Sequence, residues 1–335
     1  MNILVSIPKG SVRDTFIPAE AVARINSMGK VVWNNTELNW SSEELQDKLR
    51  DIDVCICSWG SSPFNEVALR YANRLKIVAH TGGSASNFIT KELFDKGIRV
   101  ISGNWFFAQS LAEGTLAYML SSLRDIPYYN NEVHEGRWHN GNFYNEGILD
   151  QTIGLIGFGM TAQILVNMLK PFNVKIKVFS EHKTDEVYKE YGVERASLDE
   201  IISTCKIISI HMAQREDTYH IINREVLKKI PDGSILINTS RGSLIDEEAL
   251  ADELETGRFK AALDVFEIEP LPKDSRLKGL KNVILIPHMG GPTIDRRKSC
   301  TEGILDDLER FNKREKMLYE LSMEYIDRMT RHSNN

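Results

Sequence analysis

Short apolar runs alternate with amphipathic segments along most of the chain, and the alternation falls into two blocks. Within the first 103 residues the runs are NILVSI, KVVWN, DVCICS, LKIVAH and IRVIS. Between them, PAEAVARINSM, SSEELQDKLR, FNEVALRYANR and ITKELFDKG carry apolar residues at helical spacing. Such alternation predicts βα units around a parallel sheet, here in a flavodoxin-like layered arrangement. A second block repeats the pattern through TIGLIGFG, KIKVFS, CKIISIH, GSILINTS, FKAALDVF and NVILIPH. The fold class expected is therefore α/β, with two Rossmann-like or flavodoxin-like domains.

Between the blocks, FAQSLAEGTLAYMLSSLRDI reads as one helix of about 20 residues, longer than most globular helices, and suits a link between domains. After PHMGG the pattern turns helical again and predicts a tail that packs somewhere other than on the completed second sheet. We find no internal repeat and no low-complexity stretch. At 335 residues the chain exceeds one typical core, which also points to two domains.

Charge and cysteine usage narrow the function classes. The net charge is -6 without a block of Lys and Arg, so nucleic acid is not an expected partner. The start, MNILVSIPKG, reads as a strand and turn rather than a secretory leader. No segment approaches the roughly 20 apolar residues that span a bilayer, and we expect a cytoplasmic protein with no membrane partner. Of the four cysteines, Cys55 and Cys57 share one face of a strand and read as small buried side chains. No metal site is expected.

Gly157-Phe158-Gly159-Met160-Thr161-Ala162 follows an apolar strand and opens a helical segment. Gly157 permits the tight turn, Gly159 lets backbone approach a pyrophosphate, and Ala162 keeps helix and strand close, with Met160 and Thr161 at the helix start. About 20 residues on, the position that reads the adenosine ribose falls on Ser180, with Glu181 next and His182 and Lys183 behind. An acid there binds a 2′-hydroxyl, and the stretch has no arginine to grip a 2′-phosphate. The expected cofactor is NAD, with NADP still open.

Downstream motifs supply reaction chemistry. Arg241 in NTSRG offers a planar fork for a carboxylate, and His288 in PHMGG can give and take a proton near neutral pH. Glu269 in DVFEIEP suits a partner that orients this imidazole. Singly each has a plainer reading: Arg241 tied to Asp246 or Glu247, Glu269 as a solvated loop carboxylate, His288 packed after a strand. Jointly they fall at or just past successive strand ends, where open α/β sheets bind ligands.

In this order the glycine turn, arginine, carboxylate and histidine resemble the D-isomer-specific 2-hydroxyacid dehydrogenase family. The resemblance implies a nicotinamide-dependent oxidoreductase acting on a small anionic D-2-hydroxy acid or 2-oxo acid, with His288 as acid/base. It also implies that the tail returns to the first domain. That gives a discontinuous substrate domain, 1–103 plus 291–335, with a cofactor domain, 104–290, inserted.

Further contacts follow from the same resemblance. His211, Met212 and Thr218 would lie near the adenosine and phosphates, although Ala213 stands where the family usually has proline. Thr239, Ser240 and Asp264 would cradle the nicotinamide, Asp264 at its carboxamide, with Thr115 as a candidate from the linking helix. Gly82, Gly83 and Ser84 would offer loop amides to the substrate carboxylate, with Ser84 and Ser86 departing from the family's usual G-x-G-x-D-N. Trp59 and Trp105 could line that pocket, or simply pack. The domains would close over both ligands, and the apolar linking helix would form a homodimer interface. Rival readings are a formate or phosphite dehydrogenase of the same superfamily and a non-enzymatic, cofactor-sensing corepressor.

Overall fold

A computed structural model describes residues 1–138 and 145–329. The chain forms two compact units. One comprises Met1–Ala108 together with the chain from Pro292, and the other is Gln109–Gly291. The division lies inside the long helix Asn104–Leu123, not ahead of it at residue 104. Residues 330–335 of the expected tail lie outside the described residues.

The first unit contains strands β1 (Asn2–Val5), β2 (Lys30–Trp33), β3 (Val54–Cys57), β4 (Ile77–His80) and β5 (Arg99–Ser102). The second contains β6 (Thr152–Ile156), β7 (Lys175–Phe179), β8 (Glu194–Arg195), β9 (Ile207–Ile210), β10 (Ile235–Asn238), β11 (Lys260–Leu263) and β12 (Val283–Leu285). The first sheet runs β2-β1-β3-β4-β5, all parallel, which is the flavodoxin-like order. At its far edge the tail adds a short strand, Glu320–Leu321 (β13), antiparallel to β5. The second sheet is wholly parallel, in the order β12-β11-β10-β9-β6-β7-β8.

The α/β expectation holds, and the central strands explain why. VCIC, IVAH, IISI and ILIN are buried along their whole length, as strands covered on both faces must be. Side chains of the first sheet alternate between two cores: Ile3, Val5, Ile56 and Ala79 face one, Leu4, Cys55, Cys57 and Val78 the other. Burial pushes the Cys55 thiol up to about 12, so it packs as a small apolar group.

Three elements depart from the sequence reading. FNEVALRYANR is not a helix. Its bonds are tight turns such as Arg70 N to Val67 O and Ala72 N to Leu69 O, yet Ala68, Leu69 and Ala72 are still buried. Burying those residues satisfied the apolar pattern without the cost of a full helix. The tail is not wholly helical, because helix Arg297–Asn312 gives way to β13. Buried Asp307 makes that turn, its carboxylate accepting from Leu318 N at 2.8 Å and Tyr319 N at 2.6 Å. The second sheet gains β8, two exposed residues without an apolar signal.

Candidate active site

Every functional motif of the second unit lies just beyond the carboxyl end of a strand: Gly157 after β6, Ser180 after β7, His211 after β9, Arg241 after β10, Asp264 after β11 and His288 after β12. The sheet order reverses at β6, whose neighbours β7 and β9 lead away in opposite directions. Ligands of open α/β sheets bind at such a reversal.

Gly157 adopts φ +98°, and a Cβ there would lie 2.6 Å from the His211 carbonyl carbon. The strand tips therefore close this tightly only with glycine. Gly159 is the opposite case: a Cβ there would meet nothing within 4 Å, and no side chain caps the helix Met160–Leu169 that follows. That leaves open space in front of backbone N–H groups with the positive end of a helix dipole behind them, which suits a diphosphate. Ala162 is fully buried.

The neighbouring loops are held by their own polar groups. His211 bonds to Ser209 Oγ through Nε2 at 2.9 Å, and burial pushes its pKa down to about 4. Thr218 is buried and committed to its loop, donating to Ala213 O at 2.9 Å and accepting from Arg215 N at 2.8 Å. Thr115 and Thr239 join through their hydroxyls at 3.1 Å, and Ser240 Oγ donates to Ile210 O at 2.8 Å. Half-buried Met212 packs on the core beneath, Ser180 is half-buried, and Glu181 is exposed.

The candidate reacting groups converge. His288 Nδ1 meets Glu269 Oε2 at 2.6 Å, and Glu269 Oε1 accepts from Phe266 N at 3.0 Å. The carboxylate thus anchors the ring to the loop after β11. His288 sits at φ +51°, a conformation uncommon for a residue with a side chain, which the surrounding bonds must hold. Asp264 holds this turn: its carboxylate accepts from Met289 N at 2.7 Å and Gly290 N at 2.8 Å. Burial pushes the Asp264 carboxyl up, and those two donors pull it back. Burial likewise draws the Arg241 guanidinium down, while the charge of Glu269 opposes the shift.

The plainer partners suggested for Arg241 have other work. Asp246 caps helix Glu247–Glu255 through Ala249 N at 2.9 Å, and Glu247 accepts from Glu267 N at 2.9 Å. Two groups escaped the sequence reading. Buried Asn238 shapes the arginine turn by donating to Arg241 O at 2.8 Å and accepting from Ser240 N at 3.0 Å. Its position at a strand end ahead of Thr-Ser was the available signal. His220, in contact with Glu267, forms a second imidazole–carboxylate pair that no motif announced.

In the first unit, Gly82 packs where a Cβ would fall 2.4 Å from the Trp59 ring and 2.8 Å from His80 Nε2. A Cβ on Gly83 would lie 3.1 Å from Phe107, and Ser84 Oγ lies 3.2 Å from Ser86 Oγ. Trp59 and Trp105 are each 39 % exposed, so neither is a core residue. Among the described residues no helix is long and apolar enough to cross a membrane.

Comparison with known proteins identifies the family. The D-isomer specific 2-hydroxyacid dehydrogenase NAD-binding domain matches residues 116–290. A hydroxypyruvate reductase of Thermotoga maritima is 33% identical over 277 residues, covering 80% of this chain and 89% of the reductase. A D-3-phosphoglycerate dehydrogenase of Methanocaldococcus jannaschii is 32% identical over 295 residues, 87% of this chain, although the match spans only 55% of that longer protein. The crystal structure of a phosphoglycerate oxidoreductase from Rhizobium etli superimposes with a TM-score of 0.81 at 25% identity, covering 96% of this chain and 99% of the other. The chain belongs to the D-isomer specific 2-hydroxyacid dehydrogenase family and carries that family's NAD-binding domain.

Proposed function

We propose that the protein reduces a small 2-oxo acid to the D-2-hydroxy acid, and runs the reverse oxidation, with His288 as acid/base. The observation that carries this reading is the His288–Glu269 pair, set on the same sheet edge as Arg241 and the glycine turn. When bound, the nicotinamide supplies or accepts the hydride at its C4. Arg241 grips the substrate carboxylate through its guanidinium fork and fixes which face of the carbonyl is presented. With Nδ1 held by Glu269, the other ring nitrogen of His288, Nε2, delivers a proton to the carbonyl oxygen as the carbon gains hydride. Ketone, hydride and proton together balance the alcohol formed. Asp264 keeps His288 in place by bonding the backbone of the next two residues.

Gly157, Gly159, Met160 and Thr161 are assigned to the diphosphate, and Ser180 and Glu181 to the ribose. His211 and Met212 would line the adenosine side, and Thr239 and Ser240 the nicotinamide side. The amides of Gly82, Gly83 and Ser84 are our candidates for a further carboxylate contact. Hydroxypyruvate and 3-phosphohydroxypyruvate enter the substrate list because two relatives carry the corresponding names. A homodimer belongs to the same proposal, supported by half-buried Leu116 and Leu120 on the long helix and by exposed Ile126 and Val133 just beyond it. So does a cytoplasmic setting, which suits four buried thiols.

The deciding experiment follows nicotinamide absorbance with glyoxylate, hydroxypyruvate, 3-phosphohydroxypyruvate, pyruvate and longer 2-oxo acids, and with formate and phosphite for the rival reaction. Turnover of a 2-oxo acid that His288→Ala slows about 100-fold or more is the expected result. Turnover of formate or phosphite alone, or tight cofactor binding with no turnover, would replace the reading. Light scattering at micromolar concentration should give twice the 38.1 kDa chain mass.

A further inference from the structure

The ribose-reading end of the second sheet is not acidic alone. Read along the sequence, the stretch after β7 offers Ser180, Glu181, His182 and Lys183 with no arginine. Folding brings one in from the loop after β9. Arg215 Nη1 lies 3.4 Å from His182 Nε2, joining residues 33 apart across the tip of β6 that carries the glycine turn.

The arginine is aimed. Asp217 takes its Nε at 2.9 Å and its Nη2 at 2.8 Å, which leaves Nη1 as the edge turned toward the imidazole. Thr218 fixes the backbone beneath, since its hydroxyl accepts from Arg215 N at 2.8 Å. On the other side Tyr188 donates to Ser180 O at 3.1 Å and fixes that turn. Each loop is thus anchored independently, and the two present a guanidinium and an imidazole to each other. As they stand, Nη1 donates to the imidazole Nε2, and an oxyanion set between them accepts from the guanidinium and from the ring in its Nε2–H tautomer, a charge-assisted pairing stronger than the one it replaces.

We infer that Arg215 and His182 form a clasp for the 2′-phosphate of NADPH, so that this protein takes NADPH at least as well as NADH. The inference rests on reading this unit as the nicotinamide dinucleotide site. A phosphomonoester on the adenosine ribose offers the charge and the three oxygens that the Nη1 edge of the guanidinium, the imidazole N–H and the Ser180 hydroxyl can use together, while Asp217 keeps the Nε and Nη2 edge. Glu181 serves the unphosphorylated ribose by accepting from its 2′-hydroxyl, which keeps NADH as a usable cofactor. The arginine missing from the ribose-reading stretch is therefore supplied from a different strand.

The test is direct titration of the intact protein with NADPH and NADH, without substrate, by calorimetry or nicotinamide fluorescence. ADP with and without a 2′-phosphate serves as a redox-silent probe. The parent should bind NADPH at least as tightly as NADH. Arg215→Ala should weaken NADPH and the 2′-phosphorylated probe by roughly tenfold or more, with NADH changed less than twofold, and His182→Ala should weaken the same two ligands less. A parent that binds NADH measurably tighter than NADPH would overturn the inference, as would an Arg215→Ala variant that leaves NADPH affinity unchanged. If Arg215→Ala loses both cofactors, Arg215→Lys decides: retained NADH with weakened NADPH supports the clasp, and parallel loss means the residue only shapes its loop. Failure of the parent to bind either dinucleotide would instead strike the reading of the whole unit.

Discussion

At the residue scale, the proposed site separates groups assigned to ligands from groups that place them. Arg241→Ala removes a charged, two-pronged contact, so kcat/KM for the 2-oxo acid should fall roughly 100-fold or more while NADH affinity stays. Lys should restore little of it, because a point charge lacks the planar fork. His288→Ala should lower kcat by about 10² to 10⁴. Asp264 gives a sharper test of placement. Its two oxygens each accept one backbone N–H of the turn after His288, and Asp264→Asn puts an amide N–H against one of those donors. Leaving such a donor unmet costs about 1–3 kcal/mol, and the turn should shift. We expect a kcat drop of about tenfold or more with little change in cofactor affinity. An Asp264→Asn enzyme as fast as the parent would mean that the turn holds His288 without it.

At the element scale, the glycine turn shows two glycines with opposite reasons. At Gly157 the neighbouring backbone leaves no room and φ is +98°, whereas the space at Gly159 is empty. Gly157→Ala should therefore lower the thermal midpoint and abolish cofactor binding. Gly159→Val should leave the midpoint nearly unchanged while weakening NADH and NADPH alike by tenfold or more, since its side chain fills the open space assigned to the diphosphate. A Gly159→Val protein with parent affinity would place the diphosphate elsewhere. This turn was legible in the sequence because its chemistry depends on local spacing: strand, glycines, helix. The placement of Arg241, Glu269 and His288 after successive strands was legible for a similar reason, since each follows a readable apolar run, while the roles proposed for them came from the resemblance. The contact between Arg215 and His182 was not legible, because it depends on which strands are neighbours and on a side-chain direction set by Asp217. The tail's strand β13 was hidden too: two residues carry no periodicity, and the turn that brings them to β5 is held by Asp307, far back in the preceding helix.

At the scale of the whole molecule, acid sensitivity follows from two imidazoles kept neutral by burial. His80 is fully buried at the end of β4, with Trp59 and Phe88 edge-on to its ring at 5.8 and 4.9 Å. That burial pushes its pKa down to about 3 against an ordinary 6.5, although the Cys57 carbonyl opposes it. His211 in the other unit is displaced in the same direction, to about 4. The sign follows from proton counting. Below pH 6.5 the unfolded chain protonates these rings and the folded chain does not, so the unfolded state binds more protons and stability falls as pH falls, until the folded rings titrate near pH 3 to 4. Between pH 7 and pH 5 each such histidine should cost about 2 kcal/mol of stability. His80→Leu removes one of the two groups at nearly equal volume. Its denaturant midpoint should therefore be less pH-dependent than the parent's across that interval, with His211 accounting for part of the slope that remains. Parallel pH dependences for parent and variant would show that His80 takes up its proton in the folded state as readily as in the unfolded one, and that its packing leaves it open to water.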